Sequence, residues 1–327
     1  MGFNMKWILV TIVACVLVAI ILATSLAGKE KIVQFGYLPV VHGAPLYLAL
    51  EEGYFEDAGI KVEATKFDAP NQIIDAFLQG QLDIGPPSIA AGITGIAETK
   101  NPGKLKIYAL AGGNKENPTS TLFVALDSDI SKIDELKGKK VGILGGTIQW
   151  RTIAREIFVQ NGLDIDKDLV IVELAPGLQV QALASKQIDA LLSLEPISTV
   201  VKEKGIGKIL NPCPTEQMIA EPFYGGAGVI STKFLDENPE LAKKVMEIME
   251  KAITEINANP SLAKKYLPKY TSIDASIAPK VPDLVLKMYS DFNESDFEAI
   301  QKFYDLFEKY GVVDKPIEFK NFVYDPN

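Results

Sequence analysis

Few residues of this 327-residue chain are suited to covalent or metal chemistry. The sequence contains one histidine, His42, and two cysteines, Cys15 and Cys213. Zinc sites built from Cys and His take about four such ligands, so this class of metal site is disfavoured. We also find no Gly-x-Ser-x-Gly nucleophile elbow and no catalytic-triad order. The composition therefore favours a protein that binds a ligand over one that transforms it, and we expect no cofactor.

The segment "GGTIQWRT", Gly145 to Thr152, is the strongest local candidate for ligand binding. Gly146 lets the backbone approach a ligand, and Thr147 can cap a following helix and direct its N–H groups into a cleft. The Lys-Ser/Thr ending of a Walker A loop is missing. Arg151, one turn into the helix, either pairs with an oxoanion or lies on the surface. Gln149 is a candidate contact, and Trp150 either packs in the core or stacks on the ligand.

The segment "GPPS", Gly85 to Ser88, offers a second candidate contact. A serine hydroxyl and free N–H groups at the start of a helix, predicted from Ile89 onward, would suit an anion or a carboxylate. Serine is also among the best N-cap residues, so Ser88 either contacts the ligand or only caps this helix. Pro87 and Gly113 follow predicted strands and are assigned to the same ligand-binding set.

The loop from Tyr37 to Pro45 follows the first predicted strand and supplies further candidates. His42 would donate a hydrogen bond to the ligand, and Pro45 belongs to the same loop. Tyr37 lies in the wall of the cleft or packs in the core, and the same alternative holds for Tyr47.

Two residues in the second half of the chain carry open alternatives. Glu195, if it faces the cleft, would repel an anion or bind a cation or an amine. If it faces away, it would cap the following helix. Tyr224, beside two glycines, would either close the cleft like a lid or mark a hinge. Asp83 and Asp189 are predicted to satisfy turn N–H groups before short strands.

One phrase occurs twice, as "LQGQLDIGPPS" at 78–88 and as "ASKQIDALLSLEP" at 184–196. Each copy closes a predicted β-α-β-α-β unit, judged from the apolar periodicity. In order along the chain, the units comprise 31–38, 46–59, 60–67, 70–81 and 82–88, and then 139–146, 147–162, 168–175, 177–187 and 188–196. Such units form open parallel sheets with helices on both faces, and ligands bind beyond the carboxyl ends of the strands. We therefore expect an α/β protein with two similar lobes and a ligand between them.

The lobes are expected to be connected by two crossing strands, predicted at 121–126 and 227–231. Lobe two would then be an insertion at 119–226, and lobe one would comprise 29–118 and 227–327. The chain from Asn238 onward is predicted to be mostly helical and to pack on lobe one. Pro239 suits the first helical turn, where its missing N–H costs nothing.

The N-terminal segment indicates where the protein is located, and the net charge limits which partners it can bind. Residues 7–26 carry no charge and are long enough to cross a bilayer, whereas 25–27 fit a signal-peptide cleavage site before Gly28. Cys15 resembles a lipoprotein site, but the apolar run continues after it. We therefore expect residues 1–28 to be a signal peptide or a membrane anchor, and the body from Lys29 to be extracytoplasmic. A net charge of −9 without a Lys/Arg-rich run disfavours nucleic acid as a partner.

The motifs "GYLP", "APLYLALEEGYFEDAGIKVE", "ALASKQIDA" and "DELKGKKVGILGGT" occur in an order that resembles a known family. It is the family of ABC-importer solute-binding proteins for nitrate, sulfonates, taurine and bicarbonate, which includes the thiamine-pyrimidine (NMT1/THI5-like) binders. The resemblance implies a two-lobed type II periplasmic-binding fold with the crossing strands as its hinge. It also implies a monomer that captures a small solute and delivers it to a permease with ATPase subunits.

Three functional alternatives follow from these features. The preferred ligand is a small anion of the sulfonate, nitrate, bicarbonate or carboxylate type, because helix N-termini converge and Arg151 would assist. A neutral heterocycle, such as a thiamine-precursor pyrimidine held by Tyr and Trp side chains, is the second. The third is an enzyme of the related pyrimidine-synthase type, some of which use a histidine, and the export segment argues against it. A membrane-tethered sensor is not favoured because we recognise no signalling domain in the sequence.

Overall fold

A computed structural model describes residues 31–326 of the chain. The strands, in chain order, are β1 (Val33–Tyr37), β2 (Val62–Lys66), β3 (Ile84–Ala90), β4 (Leu105–Gly113), β5 (Ser120–Ala125), β6 (Lys140–Leu144), β7 (Val170–Leu174), β8 (Ala190–Leu194), β9 (Gly207–Asn211), β10 (Phe223–Ser231) and β11 (Val285–Met288). The helices are α1 (Ala44–Glu51), α2 (Tyr54–Asp57), α3 (Pro70–Leu78), α4 (Ala91–Lys100), α5 (Ile148–Gln160), α6 (Pro176–Ala184), α7 (Ile197–Glu203), α8 (Pro214–Met218), α9 (Thr232–Glu237), α10 (Pro239–Ala258), α11 (Ser261–Lys265), α12 (Leu267–Tyr270) and α13 (Glu294–Lys309). Short 3₁₀ helices occupy Val41–Gly43, Ile133–Leu136, Ala278–Lys280, Tyr289–Asp291 and Phe319–Phe322.

The strands form two separate sheets, one in each lobe. The lobe-one sheet has the order β11-β4-β10-β3-β1-β2, and the lobe-two sheet has the order β7-β6-β8-β5-β9. β1 runs parallel to β2 and β3, and β6 runs parallel to β7 and β8. In each sheet, the first strand of the repeated unit therefore lies between the second and the third strand of that unit. This shared order confirms the two-lobed α/β architecture expected from the repeated phrase.

The two aspartates of the repeated phrase bind the first strand of their own unit. Asp83 accepts a hydrogen bond from Gln34 N at 2.9 Å, and Asp189 accepts one from Lys140 N at 2.8 Å. Both therefore bond strand residues, whereas the sequence predicted bonds to turn N–H groups. The backbone N–H of each aspartate returns a bond to the carbonyl of the same partner. These reciprocal pairs fix the start of the third strand beside the first in both lobes.

The prediction that "GPPS" is a turn before a helix from Ile89 is wrong. β3 runs through both prolines and Ser88 to Ala90, and α4 begins at Ala91. The register with β10 is irregular here, since Ile89 pairs with Ala227 and Gly85 with Val229. Proline has no N–H for a ladder and is tolerated at such a bulge. Ser88 is therefore a strand residue and does not cap a helix.

The ends of α5 are formed by residues that were predicted to cap it. Thr147 caps α5 by accepting a hydrogen bond from Gln149 N at 3.0 Å. Gly162, just after α5, has a φ of +76°, a value that favours glycine. Two strands were missed, β9 and the edge strand β11, which interrupts the C-terminal region that was predicted to be mostly helical.

The chain crosses between the lobes immediately before β5 and before β10, in 114–119 and 212–222. The two strands that were expected to cross between the lobes therefore do not cross: β5 belongs to the lobe-two sheet and β10 to the lobe-one sheet. β10 begins at Phe223, four residues earlier than predicted. The predicted lobe boundary between 226 and 227 falls inside this strand, and the proposed lobe ranges remain a prediction. The two crossing segments are tied together, since Thr119 N donates to Glu216 Oε1 at 3.1 Å.

The C-terminal helices pack on lobe one, as expected. α10 lies against α1, and its buried face contributes to one apolar core with β1, β4 and β11. A second core includes residues of both lobes together with α13, so the lobes are in contact. Among residues 31–326, no helix combines the length and apolarity that crossing a bilayer requires. The predicted signal peptide or anchor at 1–28, including Cys15, lies outside the described residues.

Candidate functional site

A cavity lies between the lobes, and both lobes line it. Its volume is about 40 Å³, which would accommodate about three water molecules or a ligand of a few heavy atoms. We call it the central cavity. Its lining consists of Leu38, Val40, His42, Pro70, Ser88, Ala90, Thr119, Leu144, Gln149, Trp150, Leu194, Phe223, Gly225 and Gly226.

His42 and Ser88 bring polar groups of lobe one to the central cavity. The loop after β1 carries His42, whose side chain is 4% exposed and whose Nε2 has no hydrogen-bond partner within residues 31–326. Burial lowers the pKa of His42 to about 4, so the imidazole is neutral at pH 7. Ser88 Oγ accepts a bond from Leu38 N at 3.3 Å, and its own hydroxyl hydrogen is free to turn to another acceptor.

Gln149 is the polar contribution of lobe two, and its position follows from the cap of α5. Its side-chain oxygen accepts a bond from Gly92 N at 2.7 Å, and its Nε2 donates to Gly225 O at 3.0 Å. Both partners belong to lobe one. The side chain therefore joins the lobes at the cavity wall. Trp150, beside it, lines the cavity and also belongs to the apolar core.

Three helices begin at the central cavity. Pro70 is the first residue of α3, Ala90 is the N-cap of α4, and Gln149 lies in the first turn of α5. Helix N-termini carry a partial positive charge and unpaired N–H groups. The cavity lining contains no lysine or arginine among the described residues. The arrangement can therefore attract negative charge through dipoles and N–H groups.

A second space of about 50 Å³, which we call the side chamber, adjoins the central cavity. The two share Val40, Leu144 and Leu194 in their walls. Glu195 and Gln179 line the side chamber, and both are buried. Burial raises the pKa of Glu195 to about 7, although the carboxylate accepts a hydrogen bond from Thr199 N. Glu195 thus faces the side chamber and also binds the first turn of α7.

Arg151 does not line either space. Its guanidinium donates to Asp166 Oδ1 at 2.8 Å and lies 3.8 Å from Glu173 Oε1. Asp166 follows α5, and Glu173 lies on β7. The expectation that Arg151 assists an anion in the cleft is therefore not supported by its position.

The other aromatic and proline candidates of the first loop pack in lobe one. Tyr37 contacts Tyr47 edge-on with ring centroids 5.6 Å apart, and Tyr270 lies at 6.1 Å. The Tyr47 hydroxyl donates to the carbonyls of Leu38 and Val40, which fixes the loop that carries His42. Pro45 is buried near the start of α1. None of these three side chains lines the central cavity.

Four further candidates, Pro87, Gly113, Gly146 and Thr147, contribute backbone geometry near the cleft and do not line the central cavity. A Cβ on Gly226 would lie 2.3 Å from Pro87 O, and a Cβ on Gly113 would lie 2.4 Å from Asn117 O. These close approaches explain the glycines at 113 and 226 by backbone packing. Gly146 has a φ of +74° and precedes the cap residue Thr147. Pro87 lies in the bulge of β3.

Tyr224 is a buried packing residue beside the second crossing segment. Its hydroxyl donates to Asp296 Oδ1 at 2.6 Å, and Asp296 also takes part in the capping box of α13. The side chain is absent from the cavity lining. The structure therefore places Tyr224 between β10 and α13, and neither the lid position nor direct ligand contact follows from this placement.

Several residues that line the central cavity were not identified from sequence. Thr119 lies in the first crossing segment. Leu144 and Leu194 are the last residues of β6 and β8, the first and third strands of the second repeated unit. The rule that ligands bind beyond strand carboxyl ends would have found the two leucines. Phe223 and Gly225 reach the cavity only because the chain returns from lobe two at that point.

A partly buried ion pair also joins the lobes outside the cavity. Glu156 of α5, 6% exposed, accepts hydrogen bonds from Lys309 Nζ at 2.6 Å and from Tyr310 Oη at 2.5 Å. Together with Gln149 it holds two points of α5 against lobe one and α13. No cluster of metal-ligating side chains occurs in the part of the chain that the structure describes.

Comparison with known proteins gives one family match and two kinds of similar protein, a binding protein and an enzyme. Residues 41–263 match the family described as "NMT1/THI5 like". A protein of Brucella abortus named "Putative binding protein" is 26% identical over 252 residues, which are 76% of this chain and 75% of that protein. The 4-amino-5-hydroxymethyl-2-methylpyrimidine phosphate synthase of Aspergillus parasiticus is 27% identical over 233 residues, which are 67% of this chain and 64% of that enzyme.

A solved structure shares the fold. The periplasmic aliphatic sulphonate binding protein SsuA of Escherichia coli superposes with a TM-score of 0.71 at 18% identity, covering 90% of this chain and 98% of that one. The two-lobed fold class expected from the sequence is thereby confirmed, as is the resemblance to the family. The family match extends over well more than half of the sequence, and the chain therefore belongs to the NMT1/THI5-like family.

Proposed function

We propose that this chain is the extracytoplasmic solute-binding protein of an ABC importer and that the central cavity captures a small anion. The ligand types are those expected from the sequence: nitrate, sulfonate, bicarbonate or carboxylate. The observation that carries the proposal is a cavity between two lobes, to which each lobe contributes a polar side chain, Ser88 from lobe one and Gln149 from lobe two. A ligand there would hold the lobes together.

The connections between the lobes support a hinge mechanism. Within residues 31–326, only the segments 114–119 and 212–222 carry the backbone from one sheet to the other. Rotation about a few residues of such segments is the usual route of closure around a ligand. A ligand that binds the closed form better shifts the open–closed equilibrium by that difference in affinity. The closed form would then be recognised by the permease.

The charge and size of the central cavity support an anion. The N-termini of α3, α4 and α5 meet there, and no carboxylate lines it among the described residues. A volume of about 40 Å³ suits an ion of a few heavy atoms. A sulfonate with a longer organic part would extend into the side chamber.

A permease and its ATPase subunits would be the protein partners, and the solute-binding chain would act as a monomer at the outer side of the membrane. The apolar segment at 7–26 supports export, and it would serve as a signal peptide or as a tether. The acidic net charge of −9 argues against nucleic acid as a partner.

A pyrimidine is the second candidate ligand. It is favoured by the aromatic side chains of Trp150 and Phe223 in the cavity wall and by the similarity to a pyrimidine phosphate synthase. The cavity of about 40 Å³ is too small for a substituted heterocycle unless the lobes separate further or the side chamber is used. The same relative keeps the enzyme alternative testable, with His42 as the residue to follow.

A thermal-shift and calorimetric screen of the full chain tests the proposal. The compounds are nitrate, methanesulfonate, bicarbonate, acetate and 4-amino-5-hydroxymethyl-2-methylpyrimidine. A ligand at a hundred times its Kd should stabilise the folded state by about 2.7 kcal/mol. Stabilisation by at least one of the four anions is expected. Stabilisation by the pyrimidine alone would favour the second candidate, and chemical change of the pyrimidine over time would favour an enzyme.

A further inference from the structure

The central cavity has no fixed positive charge to match an anion. Its lining contains no lysine or arginine and no acidic residue within the described part of the chain. His42 is the single titratable side chain in that lining. Moving a charged group from water into a buried site is costly unless it is paired there. Any full positive charge at the cavity wall must therefore come from the imidazole of His42.

The position of His42 suits this task. The ring lies in the short helix Val41–Gly43, directly before α1, and only 4% of the residue is exposed. Its Nε2 lacks a hydrogen-bond partner among residues 31–326. A Cβ on Gly226 would lie 3.3 Å from the ring's Cδ2, so the glycine of β10 leaves space for the imidazole. Without a ligand, burial holds the pKa of His42 at about 4.

Four other titratable groups lie around this part of the cleft, on the elements packed against it. Tyr47, Glu216 and Asp296 are engaged elsewhere: Tyr47 donates to the carbonyl of Val40, Glu216 accepts from Thr119, and Asp296 accepts from Tyr224. Glu195, in the side chamber, accepts a bond from Thr199 N. Burial raises the pKa of Glu195 to about 7 and also raises the pKa of Glu216, so both of these carboxyls could take up a proton as well.

We propose that the central cavity binds a singly charged anion together with one proton, and that His42 holds this proton as an imidazolium beside the anion. This inference rests on the function proposed above and specifies the charge of its ligand. The imidazolium donates from its ring nitrogens, so the unpartnered Nε2 acquires an acceptor. A doubly charged anion would keep one charge unmatched, which disfavours sulfate and hydrogen phosphate against nitrate and methanesulfonate.

Calorimetry with nitrate and methanesulfonate between pH 5 and 8 tests the proton count. Titrations of the full chain in two buffers of different ionisation enthalpy give the number of protons taken up. We expect about one proton per anion, and an affinity that falls about tenfold for each pH unit wherever uptake is complete. NMR of the single histidine is the direct readout, and it should show the pKa of His42 raised by at least about 3 units on saturation with the anion. A smaller rise from about 4 would leave the imidazole neutral over most of this pH range.

Two variants assign the proton. His42→Gln should abolish the pH dependence of the affinity, whereas Glu195→Gln should retain it. Uptake that persists in His42→Gln would overturn the role of His42, whether or not it disappears in Glu195→Gln. The NMR titration of the wild-type chain decides the same question if His42→Gln fails to fold.

The remaining outcomes separate this inference from the proposed function. Binding of a monoanion without proton uptake, or binding of sulfate as tight as that of methanesulfonate, overturns only the inference. If none of nitrate, methanesulfonate, bicarbonate and acetate binds, the proposed anion function fails and the inference fails with it.

Discussion

Gln149 of lobe two and Gly92 of lobe one are joined at the wall of the central cavity by a hydrogen bond of 2.7 Å, from Gly92 N to Gln149 Oε1. The amide nitrogen of the same side chain donates to Gly225 O at 3.0 Å. A Cβ on Gly92 would lie 2.9 Å from the Gln149 oxygen and 2.4 Å from Phe307 Cζ. One side chain thus satisfies two backbone groups of the opposite lobe, at a position where lobe one leaves room for it.

Replacing Gln149 should therefore open the cleft. Gln149→Ala removes two interlobe hydrogen bonds of about 1 kcal/mol each, so the ratio of closed to open molecules should fall about thirtyfold. Small-angle scattering or single-molecule energy transfer between the lobes measures this ratio. Asn161→Ala is the control, because Asn161 ends the same helix and its side chain binds Ile157 O and Met218 Sδ within lobe two. Equal opening in both variants would contradict the role of Gln149.

Glu195 should make the stability of the protein pH-dependent. Burial raises its pKa from 4.5 to about 7, so the folded protein binds this proton more tightly than the unfolded chain. The stabilisation is fully present below about pH 4.5 and is lost as the pH rises towards 7. Glu195→Gln should remove this loss and should be more stable than wild type at pH 8, by up to about 3 kcal/mol.

Urea denaturation at pH 5, 7 and 8 measures the effect of Glu195. The difference in unfolding free energy between the variant and wild type is the relevant quantity, since His42 titrates in the same range in both proteins and cancels. A difference that does not grow between pH 5 and pH 8 would show that the Glu195 carboxyl has an ordinary pKa.

Arg151→Ala should leave anion affinity within about twofold of wild type, because the guanidinium is paired with Asp166 outside the cavity. Partly exposed ion pairs contribute little, so the expected loss of stability is below about 1 kcal/mol. Calorimetry with the anion found in the screen measures the affinity. Arg155→Ala is the control, since Arg155 binds the same carboxylate at 2.6 Å. A tenfold loss in Arg151→Ala alone would return Arg151 to the binding site.

Tyr224→Phe should destabilise the protein without affecting ligand affinity. The change removes the hydroxyl that donates to the buried carboxylate of Asp296, and leaving such a group short of a partner costs about 1–3 kcal/mol. Urea denaturation measures the loss, and a double-mutant cycle with Asp296→Asn isolates the pair. Weaker ligand binding at unchanged stability would instead support a lid.

Much of the fold was predictable because it depends on local patterns. The apolar spacing in 70–81 and 147–162 predicted helices that the structure begins within one residue and ends within three. The repeated phrase predicted two equivalent sheets, since the same order of strands and helices has the same parallel arrangement available to it. The exceptions β9 and β11 are short strands, whose pairing comes from distant parts of the chain.

The segment "GPPS" shows where local signals fail. Two prolines normally end a strand, so the local sequence predicts a turn there. The bulge opposite Ala227–Val229 accommodates them, and this partner strand is more than a hundred residues away. Ser88 therefore reaches the central cavity from a strand, and its hydroxyl contacts the backbone of Leu38 in place of a helix N-terminus.

The sequence by itself determined the class of protein: its family motifs, its two α/β units, its acidic charge and the loops that end near the cleft. These are properties of composition and of short segments. Only the tertiary structure decided which side chains line the central cavity. Gln149 and Arg151 are two residues apart on one helix, and therefore project in different directions, one towards Gly92 of lobe one and the other towards Asp166. Which direction faces the cavity depends on how lobe two packs against lobe one, and no segment of sequence near α5 contains that information.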